Sequence, residues 1–111
     1  MQKYLNNLFL LSLFLSLSVH LKADVVIDVR TLDEYRSGHI EDSINIEWQK
    51  ISSIEESITK DEKIYLYCRS GNRSGKATDI LISIGYRDVL NLGSIESAAE
   101  QLNRNIVKKN Q

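Results

Sequence analysis

Cys68, the only cysteine of the chain, opens the run Cys68-Arg69-Ser70-Gly71-Asn72-Arg73-Ser74-Gly75. A free thiol titrates near 8.5, and neighbouring cations or a helix N-terminus bring that to roughly 3.5–7.5. Arg69 and Arg73 supply the cations. Gly71 allows the backbone a sharp turn, and the amides from Arg69 to Ser74 can converge into a concave nest for an anion. The chemistry on offer is that of a stabilised thiolate. An inert, buried cysteine is the plain alternative, since Ile64, Leu66 and Cys68 alternate onto one strand face. The doubly basic, glycine-containing turn directly after the thiol favours the reactive reading.

The neighbouring segments must position that loop. Ile64-Tyr65-Leu66-Tyr67 reads as a buried strand running into Cys68. Ala77, Ile80, Leu81 and Ile84 recur at helical spacing beyond it, one face of an amphipathic helix. The thiol therefore stands at the carboxyl end of a strand, where open α/β sheets bind ligands. The free N–H groups and dipole of the following helix point at the same place.

The rest of the chain alternates in the same way. Val25-Val26-Ile27-Asp28-Val29 is a near-continuous apolar run, as in a parallel strand covered on both faces. Thr31-Leu32-Asp33-Glu34 has the form of a capping box, so a short helix is expected there with Leu32 and Tyr35 inward and Gly38 at its end. Ile44-Asn45-Ile46 is a second short strand. Ile51, Ile54 and Ile58 mark a helix face, with Ser52, Ser53, Glu55 and Glu56 toward water. Val89 and Leu90 fall in another strand. Ile95, Ala98, Ala99, Leu102 and Ile106 line a last helix, whose C-terminus Lys108 and Lys109 would suit. Alternation of this kind predicts an α/β fold, a mainly parallel sheet flanked by helices.

With 111 residues, 42% hydrophobic, 26% charged and no proline, the chain has room for one small domain. Residues 1–23 are set apart from it. Lys3 is a basic start, Leu8 to Val19 is apolar except for serines, and Ala23 is a small residue at a plausible cut. A stretch of twelve residues falls short of the 20 or so that span a membrane. A cleaved secretory signal is expected, with residues 24–111 as the exported domain, no stable membrane association afterwards, and a periplasmic location. Loss of Lys3 and Lys22 leaves 12 basic against 15 acidic residues. That balance points away from nucleic acid or an anionic membrane as partner. A single thiol in an oxidising compartment cannot be a structural staple.

Beyond the cysteine loop, Asp28-Val29-Arg30, Glu34-Tyr35, Gly38-His39-Ile40 and Ile44-Asn45-Ile46 complete a pattern. Together with Tyr67 to Ser74 it resembles a rhodanese domain, from about Val25 to the last helix. A signal followed almost at once by the first strand resembles the small periplasmic thiosulfate sulfurtransferases of that family. The resemblance implies a five-stranded, mainly parallel sheet between helices. It also implies a persulfide carried on Cys68, above an anion cradle of Arg69, Ser70, Gly71, Asn72 and Arg73, joined by Ser74. The chain departs from the pattern at three places. Glu41-Asp42-Ser43 replaces a frequent Pro-Gly-Ala, Gly93-Ser94 replaces Gly-Gly, and the last helix lacks its common tryptophan.

Other polar residues take structural readings. His39, after a helix cap, reads as structural rather than as a catalytic partner of the thiol, Asp28 and Arg30 as an ion pair at a strand end rather than a substrate contact, and Trp48 as a core or rim aromatic rather than a ligand platform. One cysteine and one histidine beyond the signal make a zinc site improbable, and no cofactor is implied. Three functions stay in view. The first is transfer of sulfane sulfur from a small donor such as thiosulfate to a thiophilic acceptor such as cyanide or a thiol. The second is a non-catalytic binding or redox-sensing module. The third is a cysteine phosphatase or arsenate reductase. Such enzymes typically carry five residues between Cys and Arg, where this chain has four, Arg69 to Asn72.

Overall fold

Val25–Asp28 forms β1, and it runs in the middle of the sheet because both of its faces are apolar. The computed structural model describes residues 24–109. The secretory segment expected over residues 1–23 lies outside them. β1 pairs in parallel with β3 (Ile44–Asn45) on one side and β4 (Lys63–Cys68) on the other. β5 (Asp88–Ser94) pairs in parallel beyond β4, giving the order β3-β1-β4-β5. The chain thus steps outward from β1 to β3 and then crosses back to β4. The carboxyl ends of β1 and β4 flank that reversal, the place where such sheets leave a crevice.

Side chains alternate across the strands, so the sheet has two cores. On one face Ile27, Ile64, Leu66 and Cys68 pack with Ala77 and Leu81 of α2 (Asn72–Ser83) and with Ile51 and Ile54 of a 3₁₀ helix, Trp48–Glu56. On the other, Val26, Tyr67 and Leu92 meet Ile95 and Ala98 of α3 (Ile95–Leu102), with Ile40 of β2 (His39–Ile40). Each fully buried aliphatic here contributes about 1.5–3 kcal/mol. Helices on both faces are as the alternation predicts.

Four described strands form the parallel sheet, where the resemblance implies five. The remaining pairing is a separate antiparallel ribbon, β2 with β6 (Ile106–Val107), in which Ile40 faces Ile106. This relocates Ile106, which the helical spacing assigned to the last helix. Asn103 turns into the left-handed region (φ 51) and ends α3 before Ile106 is reached. Lys108 and Lys109 consequently follow a strand, not a helix.

The capping box forms as predicted at α1 (Leu32–Ser37). Glu34 N–H donates to the Thr31 hydroxyl, Thr31 N–H donates to the Glu34 carboxylate, and Gly38 closes the helix. Leu32, expected inward, is exposed; six residues give this helix no apolar stripe, and none of them is fully buried. Tyr35 is half-buried and its hydroxyl donates to the Ser43 carbonyl at 2.7 Å. Ile51 and Ile54, three apart, share a face because 3₁₀ geometry stacks such positions.

Candidate active site

Cys68 is the last residue of β4, and its side chain enters the core on the face opposite Tyr67. The next two residues, Arg69 and Ser70, are exposed. Gly71 then takes φ 96, ψ −12, and α2 begins at Asn72. A side chain at Gly71 would be strained twice. The backbone lies in the left-handed region, and a Cβ would stand 3.3 Å from the Gly93 Cα.

No side chain caps this helix. The sulfur takes that place. Gly71 N–H donates to Cys68 Sγ at 2.9 Å, and the Ser74 hydroxyl stands 3.3 Å from it. Burial pushes the thiol up, but the Ser74 hydroxyl and the amides of Ser74, Ser70 and Gly71 outweigh it, so Cys68 titrates below an ordinary cysteine. An inert core thiol has no use for these donors. Cys68 is fully buried all the same.

The expected cradle is assembled in part. Cys68, Ser70, Gly71 and Ser74 come together at the sulfur. Asn72 is exposed at the start of α2. Arg73 turns aside: its Nη1 and Nη2 meet Glu34 Oε1 and Oε2 of α1 at 2.7 and 3.0 Å. Arg69 has no ion pair among the described residues, so it is the cation of the loop with its charge unspent.

Asp28, Arg30, His39 and Trp48 are each engaged by neighbouring groups of the protein. Arg30 binds both oxygens of the buried Asp28, Nη2 to Oδ2 at 2.7 Å and Nε to Oδ1 at 3.0 Å, and its Nη2 also donates to the Gly38 carbonyl. Asn45 Nδ2 ties the same corner, donating to the carbonyls of Asp28 and Arg30. His39 Nδ1 sits 2.8 Å from the Tyr35 carbonyl, which can only accept, so that nitrogen carries the proton. Its ring stacks on Tyr35. Trp48 packs against the core, with Lys76 Nζ 5.0 Å from its ring centre. Among the described residues no cluster of His, Cys, Asp and Glu could hold a metal ion, and no helix is long and apolar enough to cross a membrane.

Two neighbours of the loop were not singled out as site residues from sequence. Glu34 is marked in the sequence as a capping residue and as part of the Glu34-Tyr35 pair of the family pattern, neither of which points to the loop. Asn91 had one signal, a polar side chain within the apolar run Val89-Leu90-Asn91-Leu92. Its Oδ1 accepts from the Ser74 hydroxyl at 2.7 Å, and its Nδ2 donates to the Gly71 carbonyl at 3.1 Å.

Comparison with known proteins agrees with this geometry. The chain is 34% identical over 98 residues to the thiosulfate sulfurtransferase PspE of Escherichia coli, covering 84% of this chain and 90% of that protein. It is 40% identical over 83 residues to a putative mitochondrial thiosulfate sulfurtransferase of Schizosaccharomyces pombe, spanning 58% of it. It is 32% identical over 96 residues to the adenylyltransferase and sulfurtransferase UBA4 of Candida albicans, of which it spans only 22%. A solved rhodanese with anions from E. coli superposes with a TM-score of 0.69 at 30% identity, covering 78% of this chain and all of that one. The family model described as a rhodanese-like domain matches residues 15–101. A cysteine loop closing strand β4 of this sheet and a match over most of its length lead to one conclusion: the chain belongs to the rhodanese-like domain family.

Proposed function

We propose that this chain is a sulfurtransferase that moves the sulfane sulfur of thiosulfate, or of a similar small donor, to cyanide or a thiol. The Cys68 thiolate attacks the outer sulfur of thiosulfate. A new S–S bond forms, the donor's own S–S bond breaks, and sulfite leaves with the electron pair. The acceptor then attacks the outer sulfur of the persulfide, and Cys68 departs as thiolate. Electrons and atoms balance within the two steps, so neither calls for a redox cofactor.

One observation carries this reading: the sulfur occupies the uncapped N-terminus of α2 and receives the Gly71 N–H at 2.9 Å. Donors so aimed stabilise the thiolate that attacks and the thiolate that departs. The same amides suit the charged outer sulfur of a persulfide. The sulfurtransferases among its relatives support the assignment. Phosphate chemistry is less well served. The loop has four residues between Cys68 and Arg73, and the guanidinium that would clamp a phosphoryl group is held by Glu34.

Intact mass provides the test. Thiosulfate should add one sulfur atom to the protein and cyanide should remove it, while Cys68→Ser should do neither. Turnover that persists in Cys68→Ser, or a wild-type protein that never gains cyanide-labile sulfur yet hydrolyses aryl phosphates, overturns the proposal. The periplasm is proposed as the place of action on the strength of the basic start and apolar run within residues 1–23. N-terminal sequencing of exported protein should begin near Asp24; a membrane-bound product still starting at Met1 would contradict it.

A further inference from the structure

Three side chains form a line leading away from the sulfur. Ser74 Oγ lies 3.3 Å from Cys68 Sγ and 2.7 Å from Asn91 Oδ1. The Asn91 carboxamide has one possible orientation. Its Nδ2 donates to the Gly71 carbonyl at 3.1 Å, and its Oδ1 accepts from Gly93 N–H at 3.0 Å. A carbonyl only accepts and a backbone N–H only donates, so reversing the amide would lose both bonds. Across the 2.7 Å contact Ser74 must therefore be the donor. A hydroxyl has a single proton, and Ser74 cannot give it to Asn91 and to sulfur together.

The backbone is shaped to make this contact. β4 and β5 keep step as far as Leu66 and Asn91, then slip, so that Cys68 lies opposite Ser94. Three steps along β5 thus match two along β4, a bulge of the kind that re-aims a side chain. Gly93 supplies its positive φ of 86.

We propose that Asn91 is a positioning residue for Cys68, acting through Ser74 by holding the hydroxyl proton while the sulfur is uncharged and yielding it when the sulfur becomes a thiolate. In the neutral state the Cys68 S–H donates to Ser74 Oγ, and Ser74 donates on to Asn91. After deprotonation the hydroxyl turns to the sulfur, and Asn91 Oδ1 keeps only the Gly93 N–H. In a persulfide the charge moves to the outer sulfur, and the Ser74 proton returns to Asn91. Asn91 thereby withholds part of the stabilisation Ser74 could give the thiolate. A less stabilised thiolate is the stronger nucleophile, which suits a sulfur that must both accept and release cargo. This purpose rests on the sulfur-transfer reading; the geometry does not.

The pH dependence of Cys68 alkylation by iodoacetamide, followed by intact mass, tests it without a second cysteine to confuse the signal. Of the charged groups near the site, Arg73 of α2 acts on Cys68 and is itself met by Glu34 of α1 and by Asp28 of β1, which Arg30 binds; Arg69 follows the thiol in the loop, Lys76 of α2 lies over Trp48, and β5 brings none between Val89 and Ser94. Every variant keeps them. Asn91 is exposed, so its replacement should fold, as a thermal melt would verify. Asn91→Ala should lower the titration midpoint by about half a unit to one unit. Asn91→Asp, which keeps the acceptor and adds negative charge, should raise it. In a Ser74→Ala background Asn91→Ala should have no effect. The proposal fails if the Ala and Asp variants shift the same way, if neither shifts, or if Asn91→Ala acts equally with and without Ser74. Should the shifts appear while wild-type protein refuses cyanide-labile sulfur, the transfer reading falls and the Asn91 control of the thiol stands.

Discussion

Arg73 grips Glu34 at two points, Nη1 to Oε1 at 2.7 Å and Nη2 to Oε2 at 3.0 Å, and so ties the first turn of α2 to the first turn of α1. The Arg73 side chain above all, with the Thr31 backbone and hydroxyl, holds the Glu34 carboxyl down at about 2 against the opposing effect of burial. A depressed carboxyl stabilises the fold above its unfolded value and loses that contribution as pH falls toward the folded value. Glu34→Gln should therefore be less stable than wild type near neutral pH, by about 1 kcal/mol for a two-point pair that is still partly exposed. The difference should shrink below about pH 4.5 and vanish near pH 2. Urea melts across that range check it. A constant difference would mean that the cap, not the charge, is what matters.

The same pair divides the two arginines of the loop by function. Arg73 already has a counterion, whereas Arg69 is exposed with its charge unpaired among the described residues. Arg69→Ala should raise KM for thiosulfate about fivefold to tenfold, with a smaller effect on kcat. Arg73→Ala should affect KM less and stability more, since it strands Glu34. Steady-state transfer to cyanide at fixed ionic strength separates the two. Equal KM effects would return Arg73 to the donor site.

Tyr67, next to the reactive cysteine in sequence, serves the opposite face. Its hydroxyl accepts from the Ile40 N–H at 2.9 Å and lies 3.1 Å from Ser43 Oγ. Tyr67→Phe removes the partner of a buried amide, which costs about 1–3 kcal/mol. The expected result is a lower urea midpoint with cyanide-labile sulfur loading unchanged. A loss of loading in protein that is still folded would assign the phenol to the chemistry after all.

Patterns in the sequence disclosed what depends on local periodicity. Strand β4, the helix after it and the capping box at Thr31 all follow from neighbours within four residues, and all are present. The ion pair of Asp28 and Arg30, two residues apart, was legible for the same reason. What escaped depends on distant partners. Glu34 and Arg73 are 39 residues apart, so nothing local reveals that the second arginine is engaged. Ile106 has helical spacing from Leu102, but Asn103 turns the chain into a strand that Ile40 completes. Asn91 meets Ser74 across 17 residues of sequence, at the point where β5 begins to slip against β4, and neither the distant partner nor the bulge leaves a mark on composition. Asp42 stands at φ 63, in the middle of the stretch where Glu41-Asp42-Ser43 replaces Pro-Gly-Ala. The backbone is left-handed there, and an aspartate carries the turn.

Gly71 is where fold and chemistry meet most closely, and a single methyl group tests it. At φ 96 an alanine pays of order 1–3 kcal/mol in backbone strain. Its Cβ would also stand 3.3 Å from the Gly93 Cα, a backbone atom with little freedom to retreat. The loop can relieve both by rotating the peptide that carries the Gly71 N–H, and that N–H is the 2.9 Å donor to sulfur. Gly71→Ala should then raise the alkylation midpoint of Cys68, lower kcat for sulfur transfer at neutral pH, and recover part of the loss at higher pH where the thiolate forms unaided. Destabilisation alone would lower activity at all pH values in proportion to unfolded protein. A Gly71→Ala enzyme that is less stable yet keeps the wild-type pH profile would show that the amide of Gly71 holds the turn and does nothing for the sulfur.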